Sequence, residues 1–332
     1  MIRKRATGAM AAALLTAAAC AGAAGTDAPE CVAPAKIGGG FDFTCRLFKD
    51  LVERSGATRQ PVRISYVPGG IGAVAYDRAV TQKSADPSVV TAFSSGSLLN
   101  IAQGKFGPHD ERAVRWLAAL GTDYGVLAVR RNSPVDSLAD LMVAIRRDPS
   151  RVAFGAGGTV GSQDWIKAAL LVKASERDFR AMRFVSFEGG GEALAALKGG
   201  HVEVFCGDAS EIRASLAEPG GGGVKIIAVL SEGRLPGYLA GVRTAREQGL
   251  DLVWPTVRGV YLGPGVSDAE YAAWTGVMQR ALGHADAQRL RDAQGIFPLS
   301  LTGGELEDFV RRTTRQYREL AGSLRLRVAP AK

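Results

Sequence analysis

The sequence predicts an α/β protein with largely parallel sheets. Short runs rich in branched apolar residues alternate with amphipathic helical segments along almost the whole chain, and this alternation is typical of strands joined by helices. Glycine is frequent, at 42 of 332 residues, and it is clustered in short turns that follow the strand-like runs. A chain of 332 residues is long enough for two domains of ordinary size.

The elements follow one another from the N-terminus. Cys31–Cys45 reads as a short strand, a glycine turn and the start of a helix. Further strands are predicted at Val62–Val67, Val89–Phe93, Val126–Val129, Val152–Phe154, Arg183–Phe187, Val202–Phe205 and Lys225–Leu230; these runs are rich in branched and aromatic residues. Helices are predicted from Ser137 to Pro149, at Ser162–Lys173 and Gly191–Lys198, and after the capping boxes Ser267–Glu270 and Thr302–Glu305.

Residues 1–24 are predicted to be a secretory signal peptide. A basic start at residues 3–5 precedes the apolar run Ala9–Ala19, and small residues follow. The run is too short to span a bilayer, so export is predicted rather than insertion. Lipidation of Cys20 is an open alternative, although the leucine usual three places before such a cysteine is absent.

The charge pattern argues against nucleic acid as a partner. The formal net charge is +8, and three of the basic groups lie in the predicted leader. The other basic residues are scattered among acidic ones, without a basic run interleaved with aromatic residues. The modest positive excess favours the approach of an anion.

Residues that usually carry catalysis are few. The three histidines, His109, His201 and His284, are spread over the chain, and no GxSxG, HExxH or GxxxxGK[ST] motif occurs. The turn Gly155–Ser162 resembles a dinucleotide-binding loop, but Val160 occupies the place of its last glycine. No Cys/His spacing indicates a metal site. The sequence therefore predicts no enzyme, no cofactor and no metal, with a secreted hydrolase as a less favoured alternative.

Six turns that follow strands are rich in glycine and in hydroxyl groups. They are Gly38–Asp42, Val67–Gly72, Phe93–Ser97, Gly155–Ser162, Phe187–Glu192 and Cys206–Glu211. Glycine lets the backbone approach a ligand closely, and the free N–H groups of a helix start attract anions. These turns predict capture of an anionic solute. Asp42 and Asp208 have two interpretations, contact with the ligand or capping of the helix that follows.

Two of the four cysteines bracket the first of these turns. Export makes a disulfide between Cys31 and Cys45 plausible, and it would brace the turn before a ligand arrives. The alternative is a pair of unrelated buried thiols. Cys206 is predicted to be buried and unreactive.

Five segments together resemble the TctC branch of the Bug proteins, the periplasmic receptors of tripartite tricarboxylate transporters. They are Cys31–Cys45, Val67–Tyr76, Ala92–Asn100, Phe154–Trp165 and Phe187–Leu194, and the resemblance extends over essentially the whole mature chain. It implies a two-domain, type II periplasmic-binding-protein-like fold with two crossover segments and a ligand cleft. One discontinuous lobe would comprise residues 27–127 and 250–332, and the inserted lobe residues 128–249.

The resemblance also implies a function and a set of ligand contacts. The ligand would be a citrate-like tricarboxylate, and the partners of this monomeric periplasmic protein would be membrane transporter subunits. Matched by position, the contacts would be Gly39, Gly40, Phe41, Asp42, Gly70, Ile71, Ser94 and Ser97 from one lobe, and Gly158, Thr159, Ser162, Gly190 and Asp208 from the other. Ile37 departs from the family pattern, which has proline there, and Cys206 stands in place of serine. A sensory receptor for the same ligand, acting on a membrane kinase, is the alternative.

Overall fold

The computed structural model describes residues 28–58 and 60–329. The predicted signal peptide and Cys20 lie outside the described residues. Within the described part, none of the helices has the length and apolar character needed to cross a membrane.

Strands and helices alternate as the sequence predicts. The strands are β1 (Glu30–Ala33), β2 (Arg63–Tyr66), β3 (Val89–Ser94), β4 (Arg115–Arg130), β5 (Ala153–Gly157), β6 (Arg183–Phe187), β7 (Val204–Asp208), β8 (Val224–Val229), β9 (Pro255–Leu262) and β10 (Leu301–Thr302). The helices are α1 (Gly40–Arg54), α2 (Ala73–Thr81), α3 (Ser95–Ala102), α4 (Leu138–Arg147), α5 (Gln163–Ala174), α6 (Gly190–Lys198), α7 (Ala209–Ala217), α8 (Asp268–Leu282), α9 (Ala287–Gln294) and α10 (Gly303–Ser323).

One long strand, β4, belongs to two sheets. Its first part pairs with β9 in a sheet ordered β2-β1-β3-β9-β4, and β10 also pairs with β4 there. From Gly125 onward it pairs with β7 and β8, and β7 continues through β5 to β6. The predicted α/β class is confirmed, but parallel pairing is confined to the outer strands. The pairings that involve β4 or β9 are antiparallel, so the expectation of largely parallel sheets is wrong at the centre.

Each sheet is covered by helices through apolar contacts. In the first, Phe48 of α1 packs against Trp274 of α8, with ring centroids 5.9 Å apart. In the second, Ile166 of α5 is buried against Phe154 of β5, and Trp165 stacks edge-on against Phe179. Because the helices cover the sheet faces, the ends of the strands are free to face each other across a cleft.

Cys31 and Cys45 form a disulfide, as predicted. It joins β1 to α1 with 5.6 Å between the two Cα atoms, and it closes a loop with a sequence separation of 14 residues. The glycine turn that begins α1 lies inside this loop, so the bond restricts that turn.

Replacing both cysteines with alanine is expected to lower the free energy of unfolding by about 3 kcal/mol, because the unfolded chain regains the entropy of an open loop. Urea denaturation of Cys31→Ala/Cys45→Ala against the oxidised protein would measure the change. Reductant should destabilise the parent protein similarly and leave the double variant unaffected. An unchanged denaturation midpoint would contradict the bracing role.

Candidate functional site

Two adjoining cavities lie where the strand ends of the two sheets meet. The inner cavity has a volume of about 80 Å³, and its walls come from both sheets and their helices. An outer cavity of about 410 Å³ shares four residues with it: Ile71, Asn100, Gly158 and Glu188. The shared residues make the two volumes one continuous site.

Five helices present their first turns to the inner cavity. The lining residues Gly40, Gly96, Gln163, Gly190 and Glu211 belong to the first turns of α1, α3, α5, α6 and α7, respectively. The first N–H groups of a helix have no partner within it and carry the positive end of its dipole. Some of these N–H groups already donate to side chains, as Gly96 N–H does to Ser94 Oγ and Ser210 N–H does to Asp123 Oδ1. The converging dipoles and the remaining N–H groups favour negative charge at the inner cavity.

The structure brings most of the predicted contacts together. Gly39, Gly40, Phe41, Ile71, Ser94, Gly158, Ser162, Gly190 and Asp208 line the inner cavity, and Gly70 and Thr159 line the outer one. Asp42 and Ser97 line neither cavity. Direct contact of the lining residues with a ligand stays a prediction.

Asp42 is fully buried and holds the first glycine turn in place. Its carboxylate accepts hydrogen bonds from the Gly38 N–H at 2.9 Å, from the Tyr66 hydroxyl at 2.8 Å and from Arg46 Nε at 3.1 Å. Asp42 lines neither cavity, and its contact with a ligand stays a prediction. It does not cap α1 either, because the N–H group that it accepts from precedes the helix.

Ser97 is a capping residue rather than a wall of the cavity. Its Oγ accepts a hydrogen bond from the Ser94 N–H at 3.2 Å, while Ser94 Oγ accepts one from the Gly96 N–H at 3.2 Å. The two hydroxyls thus form a reciprocal capping box at the start of α3.

Ser97→Ala is expected to lower the free energy of unfolding by about 1 kcal/mol, the usual loss for a removed cap. Ligand affinity, measured at a temperature and pH where the variant is fully folded, should stay unchanged because Ser97 does not line the cavity. Chemical denaturation and calorimetric titration separate the two effects. A large loss of affinity without loss of stability would return Ser97 to the binding site.

At the inner cavity and behind it lies a network of six ionisable side chains, of which the sequence analysis singled out only Asp208. The network comprises Asp123, Asp164, Lys167, Asp208, Glu211 and Arg258. Lys167 is fully buried, and its Nζ lies 2.8 Å from Asp164 Oδ1 and 2.9 Å from Asp208 Oδ1. It also donates to the Gly207 carbonyl at 2.9 Å.

Arg258 connects this network to the cavity. Its Nη2 lies 2.8 Å from Asp123 Oδ2 and 2.9 Å from Asp208 Oδ2, and its Nε donates to Asp123 at 3.1 Å. Within residues 28–58 and 60–329, none of the hydrogen bonds uses Nη1. A Cβ on Gly40 would lie 2.1 Å from that nitrogen, so the glycine gives the guanidinium room at the start of α1.

The two sides of the cleft also touch directly around the cavities. Lys105 Nζ donates to the Val160 carbonyl at 3.0 Å, and Gln103 Nε2 donates to the Gly161 carbonyl at 2.6 Å. Lys36 forms an exposed ion pair with Glu192 at 3.0 Å. These contacts join the two sides of the cleft.

Comparison with protein families decides what kind of protein carries this site. Residues 53–320 match the family model described as the tripartite tricarboxylate transporter family receptor, TctC. The chain belongs to the TctC family. A search of curated proteins found no match to this TctC chain.

Solved structures share the fold of this TctC chain. MatC from Rhodopseudomonas palustris with bound malate is 21% identical, with a TM-score of 0.74, over 88% of this chain and 98% of that one. An R. palustris protein solved with adipate is 17% identical, with a TM-score of 0.77, over 91% and 98%. The periplasmic binding protein BugD is 16% identical, with a TM-score of 0.78, over 90% and 98%. At these identities the likeness shows the fold.

Burial and neighbouring charges perturb the acids of the TctC site. Burial, with Asp208 and Asp164 nearby, raises the pKa of Glu211 to about 8. Burial also raises the pKa of Asp164 to about 6, although Lys167 opposes the change. For Asp208, burial is outweighed by Lys167 and Arg258, which hold its pKa below the ordinary value. Glu211 is therefore largely protonated at neutral pH.

The perturbed pKa of Glu211 predicts how stability depends on pH. A carboxyl group whose pKa is higher in the folded state stabilises the fold at low pH, and this contribution is lost as pH rises. The free energy of unfolding should therefore decrease between about pH 4.5 and 8. Glu211→Gln should flatten that part of the profile in urea denaturation, while Glu305→Gln on exposed α10 should not. An identical slope in Glu211→Gln would contradict the raised pKa.

Arg258 and Lys167 are the main residues that sequence reasoning missed, and each had a faint signal. Arg258 interrupts the apolar run Val257–Leu262, and Lys167 follows Trp165 and Ile166 in a helix otherwise rich in alanine and leucine. A charge within a buried pattern indicates a partner charge, since an unpaired one is costly to bury. The pattern does not say which acid provides it.

Proposed function

We propose that this TctC-family receptor captures a small carboxylate and releases it chemically unaltered. The observation that carries the proposal is the convergence of five helix starts on a cavity that Arg258 also lines, and among the described residues Nη1 of Arg258 has no hydrogen-bond partner. Backbone N–H groups and a guanidinium are the donors that best hold a carboxylate. The relatives solved with malate and adipate support the same class of ligand.

A citrate-like tricarboxylate is the finer prediction drawn from the family resemblance. The inner cavity argues for a ligand of lower negative charge, because Asp164, Glu188 and Asp208 line it and Arg258 is the one cationic side chain among its described lining residues. Three carboxylates on one ligand would repel these acids at short range. We propose a mono- or dicarboxylate as the captured solute. Citrate is included in the screen, and binding of citrate in preference to these acids would contradict this choice.

The same proposal includes a cellular place and a partner. The predicted leader and the family of the chain support export to the periplasm, where the disulfide between Cys31 and Cys45 is stable. Delivery would be to membrane subunits of a tripartite tricarboxylate transporter. Deletion of the receptor should then abolish uptake of its ligand, whereas a purely sensory receptor would leave uptake by a constitutively expressed transporter intact.

Binding is expected to close the two sides of the cleft on the ligand. A thermal-shift screen of carboxylates with two to six carbons should identify a binder, and small-angle scattering should then show a smaller radius of gyration at saturation. Mass spectrometry of the recovered ligand should show no chemical change. Absence of any carboxylate binder, or a converted product, would overturn the proposal; an unchanged radius would overturn closure.

A further inference from the structure

One face of the molecule, the basic face, carries a large excess of positive charge. It is built from three segments that are distant in sequence, residues 146–151, 173–183 and 325–327. Together they contain nine basic and three acidic residues, an excess of six in a chain whose formal net charge is +8. All nine basic residues are exposed, and none of them lines the inner or the outer cavity.

Contacts between the three segments place them side by side. Arg177 Nε donates to the Arg146 carbonyl at 2.6 Å, which joins the second segment to the first. The turn Phe179–Ala181 also packs beside the turn Pro149–Arg151. The third segment follows α10, and its Arg325 lines a cavity together with Arg177. The segments therefore form one surface, although their charges are scattered along the sequence.

The cavity on the basic face has a volume of about 600 Å³ and is lined by four cationic side chains. These are Lys173, Arg177, Arg180 and Arg325, with Asp178 as the one acid among its described lining residues. Asp178 is already engaged, because Arg180 Nη2 lies 2.7 Å from its Oδ2. Positive charge therefore remains around this cavity without a described acid to balance it.

Much of the remaining wall of this cavity is apolar. Trp165, Phe179, Leu324 and Leu326 line it, and the rings of Trp165 and Phe179 meet edge-on with centroids 5.7 Å apart. The cavity thus combines an apolar wall with several cations.

Exposed apolar side chains also lie among the charges of the basic face. Five large apolar side chains are exposed in the described part of the chain, and three of them, Val143, Val160 and Val328, lie here. Val143 lies on α4 three and four positions before Arg146 and Arg147, so it shares their side of the helix. Val160 lines the cavity, and Val328 follows the third segment directly.

Cations interspersed with exposed apolar side chains fit a bilayer surface better than a single small anion. A small anion is held by donors fixed around it, whereas these bases are long exposed side chains on three segments. A bilayer with anionic phospholipid offers many phosphates above an apolar layer. Each Lys or Arg near such a surface adds to the attraction, and apolar side chains enter the boundary between headgroups and acyl chains. An acidic polypeptide would complement the charges but not the valines.

We propose that the basic face, with Val143, Val160 and Val328, binds the surface of a bilayer that contains anionic phospholipid. The face reaches the edge of the cleft, because the Val160 carbonyl accepts from Lys105 Nζ at 3.0 Å and the neighbouring Thr159 lines the outer cavity. Membrane binding would therefore bring the outer cavity close to the bilayer. This inference goes beyond the capture of a solute and does not depend on which solute is captured.

Cosedimentation of the mature protein with vesicles tests the proposal. Vesicles of phosphatidylcholine alone are compared with vesicles in which about a third of the lipid is phosphatidylglycerol. At low ionic strength the partition coefficient should be at least about tenfold higher for the anionic vesicles. This preference should disappear in about 0.5 M NaCl, because salt screens the attraction. Equal partitioning into both kinds of vesicle at low salt, or a preference that high salt leaves unchanged, would overturn the proposal.

A variant with fewer charges assigns the binding to the basic face. Arg147→Gln/Lys173→Gln/Arg327→Gln removes one exposed base from each segment, and partitioning into the anionic vesicles should decrease at least about tenfold. Circular dichroism checks that the variant is folded. Unchanged partitioning of the folded variant would overturn the role of this face.

A matched variant controls for net charge. Arg280→Gln/Arg312→Gln/Arg315→Gln removes three exposed bases from α8 and α10, so it has the same net charge as the first variant. Its partitioning should decrease by less than about threefold, because bases beyond a Debye length from the bilayer are screened. An equal loss in both variants would show that net charge, rather than the basic face, controls binding, and would overturn the proposal.

Two soluble compounds distinguish the bilayer from other partners. Glycerol phosphate at the concentration of the accessible lipid phosphate should not displace the protein from anionic vesicles, because many phosphates act together. Full displacement would indicate a site for one small anion and refute the proposal. Binding of polyglutamate without binding of the anionic vesicles would assign the face to an acidic polypeptide and refute it as well.

The outcome is separate from the proposed function. Calorimetric titration of the captured carboxylate should give the same affinity for the parent protein and for both charge variants, since none of the substituted residues lines the inner or the outer cavity. If the protein binds a carboxylate but not the anionic vesicles, capture stands and the membrane-binding face is refuted. If it binds the vesicles through the basic face but no carboxylate, the reverse holds.

Discussion

Replacing Lys167 with methionine is expected to lower the free energy of unfolding by about 3–5 kcal/mol at neutral pH. The substitution leaves Asp164 and Asp208, which lie 2.8 and 2.9 Å from Lys167 Nζ, without their shared buried cation. Burying a charge without a partner is among the few single changes that cost this much. Urea denaturation at constant pH measures the loss.

The chain offers a matched control for this prediction. Lys173 lies on the same helix and is exposed, so Lys173→Met should change stability by less than about 0.5 kcal/mol. The deficit of Lys167→Met should also shrink as pH falls toward about 6, because Lys167 holds the pKa of Asp164 down to about 6 and the unpaired carboxyl gains a proton above that pH. Equal stability of the two variants would show that the buried network does not stabilise the fold.

The second large effect concerns binding. Gly40→Ala places a Cβ 2.1 Å from Arg258 Nη1, which is held from behind by Asp123 and Asp208. Either the guanidinium or the start of α1 must then move, and overpacking of this kind typically costs about 1–3 kcal/mol. If that cost falls on the bound state, affinity should decrease about 10- to 100-fold, since 1.4 kcal/mol corresponds to a factor of ten.

Calorimetric titration with the tightest ligand of the screen measures this decrease. Gly304→Ala is the control, because Gly304 also lies in the first turn of a helix and a Cβ there meets no atom within 4 Å. Affinity unchanged in Gly40→Ala would remove Arg258 from the binding site. Denaturation of both variants shows how much of the cost appears in the free protein.

Local features of the fold were predictable because they depend on neighbouring residues. The helix beginning at Ser137 was predicted from its cap, and in the structure Ser137 Oγ accepts from the Asp140 N–H as the first step of a capping box. The strand Arg183–Phe187 was predicted with the bounds that the structure has. Both depend on short-range pattern and hydrogen bonding.

Strands β4 and β9 were not predictable in the same way. Only Val126–Val129 was predicted as a strand, whereas β4 runs from Arg115 to Arg130 through Gly121, Thr122 and Asp123. These residues break the apolar pattern, and pairing with β9 keeps them extended. The residues of β9 were predicted to lie near a domain boundary, because Pro255 and Arg258 are unusual in a buried strand.

In the candidate site, too, the local features were predicted and the long-range contacts were not. Its turns were found because glycine, serine and a helix start occur together in the sequence, and Gly40, Ser94, Gly158 and Gly190 do line the inner cavity. Its charges were missed because their partners are distant in sequence: Arg258 bonds Asp123 across 135 positions. Asp42 and Ser97 were predicted as contacts but line neither cavity, because a polar side chain beside a turn can bond nearby backbone groups instead of facing a ligand.

The amino-acid sequence by itself determined the α/β class and the helix starts near the site, and it predicted a disulfide between Cys31 and Cys45 that the structure contains. These follow from local pattern and from the few cysteines available. Only the tertiary structure decided that the acids outnumber the cations around the cavity, because Asp164, Asp208 and Glu211 share Lys167 and Arg258 only after the two sheets have come together. Burial then strengthens the interactions among these charges, since water no longer screens them.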